Sequence, residues 1–164
     1  FPYTTLFRSA SRSAVPSGTF SRISAGYTHT CAIDSSGAAQ CWGEDDSGQA
    51  TPPSGSFSEI SSGFQFTCAL DTSSAIQCWG EDSDGQASPP AGTFVALSAG
   101  HYHACAIDNT LSLHCWGLDG NGQASPPSGI FSAVGAGNGH SCAIDTGGLV
   151  QCWGADTYGQ STPP

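Results

Sequence analysis

Thirty-seven residues separate Cys31 from Cys68, Cys68 from Cys105 and Cys105 from Cys142. Each of these cysteines is followed ten residues later by a second, at Cys41, Cys78, Cys115 and Cys152. The intervening segments read CAIDSSGAAQCWG, CALDTSSAIQCWG, CAIDNTLSLHCWG and CAIDTGGLVQCWG. A gapless repeat of this length builds one supersecondary unit per period, stacked on its neighbours as a solenoid, propeller or array. The units are residues 17–53, 54–90, 91–127 and 128–164. No segment holds a 3.6-residue apolar spacing for ten residues, and Gly or Pro interrupts throughout, so helix is disfavoured as the repeating element. Short β-branched and aromatic runs between turn residues predict strands.

In the first unit, Thr19 to Ala25, Thr28 to Asp34 and Ala38 to Gly43 read as strands, with a short fourth strand at Gln49 to Thr51. Asp34-Ser35-Ser36-Gly37 reads as a type I turn with Gly at the left-handed position, a three-residue hairpin loop. With Asp34 opposite Ala38, Cys31 falls directly opposite Cys41 on one sheet face. The same register pairs Cys68 with Cys78, Cys105 with Cys115 and Cys142 with Cys152. Each pair sits at a non-hydrogen-bonded site, where the Cα separation of about 4.5 Å is at the short end of what a disulfide accepts. Zinc binding is disfavoured, because its cysteines favour two- to four-residue gaps. Free buried thiols are the other reading. Four cross-strand bridges imply an oxidising compartment, and hence an extracellular or cell-surface protein.

Trp42, Trp79, Trp116 and Trp153 alternate to the face opposite the cysteines, as do Ala32, Ala69, Ala106 and Ala143. Both faces of each sheet therefore carry apolar groups, and each sheet must be sandwiched between two others. Propeller blades meet that condition.

The combination AGYTHTCAI…QCWGEDDSGQ resembles the regulator-of-chromosome-condensation repeat: a Gly, two residues, a His, an apolar strand, a Gly-containing turn, Trp-Gly, then Gly-Gln. All four units carry it. The resemblance implies an all-β fold of four-stranded antiparallel blades, with four blades forming part of an open seven-bladed ring. Known members act as nucleotide-exchange factors for small GTPases, as scaffolds, and in bacteria as secreted inhibitors. The paired cysteines and short period depart from the intracellular members and resemble the bacterial and environmental branch.

Three basic residues stand against thirteen acidic ones, for a net charge of −10. That balance disfavours nucleic acid and anionic lipid as partners. No apolar run approaches the roughly 20 residues of a membrane span. The first nine residues, FPYTTLFRS, match a translated sequencing adapter, and residues 10–16 read as a leader; the chain then reads as a metagenomic fragment.

His29, His103 and His140 share one repeat position, where the second unit has Phe66, so packing with a ring hydrogen bond is expected rather than catalysis. His101 and His114 fall elsewhere. Asp45, Asp82, Asp119 and Asp156 share a position in acidic turns; two of these turns, GEDDSGQ and GEDSDGQ, approach a calcium-binding composition but lack the twelve-residue loop spacing. No G-x-S-x-G elbow or phosphate loop is present, and no cofactor is expected. The expected role is a binding module for a protein or glycan. Tyr27, Phe64 and Tyr102, in the variable loops GYTH, GFQF and GHYH, are its candidate contacts. A surface-layer or filament protein, O-glycosylated on its Pro-rich links, is the alternative, and an enzyme the third. The open blade faces suit self-association.

Overall fold

The computed structural model describes residues 15–163, so the adapter-like and leader segments, apart from its last two residues, lie outside the described residues. Twelve strands form four antiparallel three-stranded sheets, or blades. The first contains β1 (Phe20–Ala25), β2 (His29–Asp34) and β3 (Ala39–Gly43). The second contains β4 (Phe57–Ser62), β5 (Phe66–Asp71) and β6 (Ile76–Gly80). The third contains β7 (Phe94–Ala99), β8 (His103–Asp108) and β9 (Leu113–Gly117). The fourth contains β10 (Phe131–Ala136), β11 (His140–Asp145) and β12 (Val150–Gly154). The sheets stack in chain order as an arc that does not close. Among the described residues no helix is long and apolar enough to cross a membrane.

The hairpin between the second and third strands of each blade follows the expected register. Cys31 pairs with Cys41 and His29 with Gly43, and the other blades repeat this. All four disulfides form within their own hairpins, with Cα–Cα distances of 4.0–4.1 Å. The turn is organised by its aspartate. Asp34 Oδ1 accepts hydrogen bonds from the Ser36 amide, the Ser36 hydroxyl and the Ala38 amide, and Oδ2 accepts one from Gln40. These bonds, that of the Ser36 hydroxyl first, lower the Asp34 pKa to about 2.

The first strand carries a bulge, between Phe20 and Arg22 in blade one and at the same place in the others. It has a packing purpose. Phe20 and Ile23 are three apart, so a regular strand would aim them at opposite faces. The bulge places Phe20 opposite Asp34 and Ile23 opposite Ala32, two residues of one face.

The fourth strand expected at Gln49 to Thr51 does not form; the segment is a turn. Its backbone and side-chain groups are already engaged. Asp45 accepts from the Ala50 amide and the Thr51 hydroxyl, and the Thr51 amide donates to Gly48 O. The buried Gln49 side chain accepts from the Ser47 amide. The shared aspartate of the acidic turn thus takes the Ala50 amide that a strand ladder would have used.

Blade packing has a direction. The disulfide face of each blade lies on the tryptophan face of the next. Cys31, Ile33 and Cys41 meet Phe57, Ile60, Ala69 and Trp79. Phe66, Cys68, Leu70 and Ile76 meet Phe94, Leu97, Ala104, Ala106 and Trp116. Ile107 and Leu113 meet Phe131, Val134, Ala143 and Trp153. Each tryptophan of blades two to four also donates its indole N–H to a glutamine carbonyl of the preceding unit: Trp79 to Gln49, Trp116 to Gln86 and Trp153 to Gln123, at 2.9–3.0 Å. Burial on both sides explains why small Ala and large Trp share one face.

Candidate partner-binding rim

Gly26, Gly63, Gly100 and Gly137 directly follow the first strands, and at the first three of them the backbone of the next blade comes close. A Cβ on Gly63 would lie 2.2 Å from the Phe66 ring and 2.5 Å from Gly100 O. A Cβ on Gly26 would meet the His29 ring at 2.4 Å and Gly63 O at 2.5 Å. Only glycine fits between a ring of its own blade and the backbone of the next. The residues that follow are tied across the junctions: the Tyr27 amide donates to Gly63 O, the Phe64 amide to His101 O and the His101 amide to Gly137 O.

That close approach lines up the side chains that follow the glycines. Tyr27 and Phe64 have ring centroids 4.5 Å apart, and Phe64 and His101 4.1 Å. Tyr102 packs on both, 5.2 Å from Phe64 and 4.3 Å from His101. Asn138 continues the row. With the glycines, Tyr27, Phe64, His101 and Asn138 line a shallow groove of about 260 Å³. Tyr27 is 70% exposed, so the row is an available surface rather than core. Partial burial lowers the His101 pKa, which keeps the ring neutral and able to stack at pH 7.

Of the three candidate contacts, Tyr27 and Phe64 occupy equivalent positions and touch. Tyr102 belongs to the next position of the repeat, equivalent to Thr28 and Gln65, and joins the row from its side. His101 is the true counterpart of Tyr27 and Phe64. Counting from the invariant Gly of the four loops would have found it.

The acidic turns lie beside this row. The Glu44 amide donates to Thr28 O, the Glu81 amide to Gln65 O, the Leu118 amide to Tyr102 O and the Ala155 amide to Gly139 O. Glu44 also accepts a hydrogen bond from the Thr28 hydroxyl. Carboxylates therefore border an aromatic surface. Several are committed: Asp45, Asp82, Asp119 and Asp156 each accept a backbone amide and a hydroxyl of their own turn. Glu81 accepts from the Ser83 amide and from Ser47 of the preceding turn, and its pKa is lowered chiefly by Ser83. Among the described residues no group of three or more His, Cys, Asp or Glu converges as a metal site would.

The repeated histidines lie behind the row, in the junctions. His29 Nε2 is 2.7 Å from the Thr67 hydroxyl, and His103 Nε2 is 2.8 Å from the Ser141 hydroxyl. Both rings are buried, and desolvation lowers both pKa values, that of His103 to about 4. These are ring hydrogen bonds of the packing kind. Each hydroxyl belongs to the following blade, which sequence reading had not anticipated.

The regulator of chromosome condensation (RCC1) repeat matches four times, at residues 20–49, 57–86, 94–123 and 131–160. The chain belongs to the RCC1 repeat family. Among solved structures, the CRINKLY WD40 ectodomain of the Arabidopsis thaliana receptor kinase ACR4 is 30% identical with a TM-score of 0.70. The alignment covers 84% of this chain and 50% of that one. The entire ectodomain of the Physcomitrella patens receptor kinase CR4 is also 30% identical, with a TM-score of 0.73 and coverage of 87% and 42%. Yeast RCC1 (Prp20) bound to Kap60 is 17% identical with a TM-score of 0.75, covering 87% and 46%; that likeness is one of fold. This RCC1-repeat chain thus spans half or less of these neighbours' lengths. No curated protein sequence matches it.

Proposed function

We propose that this chain is an extracellular RCC1-repeat binding module that holds a basic protein segment on its aromatic row. The role is recognition rather than catalysis. The observation that carries the reading is the stacked, accessible Tyr27–Phe64–His101 row with Tyr102 beside it, bordered by the acidic turns. Aromatic faces attract guanidinium and ammonium groups, and a carboxylate border adds attraction for the same cations. A net charge of −10 favours such a partner over an acidic one. Four hairpin disulfides support an oxidising compartment, and likeness to two receptor-kinase ectodomains at 30% identity supports the same address.

Selection of a displayed random-peptide library against the intact, unreduced chain tests the proposal. The expected result is enrichment of Arg- and Lys-containing peptides whose binding weakens with salt and falls about tenfold or more in Phe64→Ala. Peptides without basic residues, or binding that survives Phe64→Ala and Tyr27→Ala together, would refute it.

A further inference from the structure

The aromatic row is bordered unevenly along its length. Each acidic turn commits one aspartate to its own backbone, at Asp45, Asp82, Asp119 and Asp156. The turn of blade one adds Glu44 and Asp46, and that of blade two adds Glu81 and Asp84. The turns of blades three and four, GLDGNGQ and GADTYGQ, add no carboxylate. Asp46 and Asp84 are exposed, and among the described residues neither carboxylate accepts a hydrogen bond. The Ser47 hydroxyl, in the turn of blade one, donates to Glu81 of blade two, so the two turns form one acidic edge.

One position carries the contrast. Residues 44, 81, 118 and 155 are equivalent and read Glu, Glu, Leu and Ala. Each donates its amide to the carbonyl of a residue that flanks the row: Thr28, Gln65, Tyr102 or Gly139. In blade four a Cβ on Gly139 would lie 3.5 Å from the Ala155 Cβ, so side chains at these two positions emerge next to each other. In blade three they are Tyr102 and Leu118. Tyr102 packs in turn on Phe64 and His101. Carboxylates therefore accompany Tyr27 and Phe64, whereas an uncharged, apolar surface accompanies His101 and Tyr102. The row is also short. Tyr27 and His101 have ring centroids 6.5 Å apart, the length of about two residues of extended chain. A cation gains from aromatic faces and carboxylates together at the first two blades. At the third, the surface offers apolar contact.

We infer, on the basis of the basic-partner reading, that the bound segment docks in one register. An Arg or Lys side chain lies over Tyr27 and Phe64, beside Glu44 and Glu81, and an apolar side chain about two positions away packs on Tyr102 and Leu118. The recognised element is a basic–apolar pair rather than a run of basic residues.

Titration of the intact, unreduced, isotope-labelled chain with four end-blocked peptides, followed by amide chemical shifts, tests the inference. Two peptides carry the pair in either chain direction, Gly-Arg-Gly-Leu-Gly and Gly-Leu-Gly-Arg-Gly, and two carry Ser in place of Leu. At least one Leu peptide is expected to bind about fivefold more tightly than its Ser counterpart, the worth of partly burying one side chain. Leu118→Ser is expected to bring that ratio below about twofold and to leave the affinity of the Ser peptide unchanged, with circular dichroism matching wild type. Asp46→Asn combined with Asp84→Asn, at two exposed and unbonded side chains, is expected to weaken Leu and Ser peptides by the same factor. Equal affinity for Leu and Ser peptides in both directions on the wild-type chain overturns the inference and leaves the basic partner standing. A ratio that survives in folded Leu118→Ser overturns it as well, because the apolar seat then lies elsewhere. Tyr27 and Phe64 amides that shift with none of the four peptides at millimolar concentration overturn the basic-partner reading itself.

Discussion

The junction between blades one and two and the junction between blades two and three share a backbone arrangement and differ in chemistry. The first holds a buried imidazole against a hydroxyl, His29 to Thr67. The second holds Phe66 in a wholly apolar cluster with Ala104. The third reverts to the polar form with His103 and Ser141. Donor and acceptor lie 38 residues apart, yet they change together. The hydroxyl satisfies the buried imidazole Nε2, whereas a phenyl ring asks for no partner and an alanine suffices beside it. The histidine seam depends on its hydroxyl, whereas the phenylalanine seam does without one.

Acid is expected to separate the two kinds of junction most strongly. The unfolded chain protonates histidine below about pH 6.5, whereas folded His103 does so only near pH 4. Between those values the unfolded state holds more protons, so stability is full above about pH 6.5 and falls as the pH drops. Desolvation is the main cause, reinforced by His140 and opposed by Asp119. The loss at His103 is on the order of 3 kcal/mol. His29 shifts in the same direction, with Asp45 and Glu44 opposing. Urea unfolding at pH 7 and pH 4.5 should show this loss, and His103→Phe/Ser141→Ala, which copies the second junction, should reduce it. An unchanged pH dependence in that variant would break the contrast.

Next in size is Thr67→Ala, which strands His29 Nε2. It should cost about 2 kcal/mol, and adding His29→Phe should return most of it. A double-mutant cycle with no coupling would mean that the ring and hydroxyl act independently. The smallest effect is expected for Ala104→Ser. Ser141 donates to Gln123 O in the polar junction. A hydroxyl at position 104 has the matching Gln86 carbonyl in reach, so the change should stay within about 0.5 kcal/mol by thermal unfolding.

Much of this frame is legible in the amino acids. The Asp-x-x-Gly turn sets the hairpin register, the register pairs Cys31 with Cys41, and alternation puts Trp42 and Ala32 on the other face. The Gln49 segment misleads, because a short run bounded by Gly and Pro reads as a strand unless one sees that Asp45 already holds Ala50 and Thr51. His101 is obscured by its neighbour Tyr102, which looks more like a contact residue but sits one place on. The His–hydroxyl couple is spelled out in the repeats, but its two members lie in different blades. It becomes readable only once the disulfide face is known to lie on the next tryptophan face.

That one-way stacking has a consequence for how such chains lengthen and shorten. Every seam runs from sulfur to indole, so a whole unit can be copied or excised without inventing a new surface, provided the two flanking units agree. Joining blade one directly to blade four would set His29 against Ser141, a compatible seam. Removing blade two alone would set His29 against Ala104, which strands the imidazole Nε2, whereas removing blade three alone would set Phe66 against Ser141, whose hydroxyl would have the Gln86 carbonyl in reach. The array therefore obeys a grammar, in which units are words and the ring at each seam decides which word can come next.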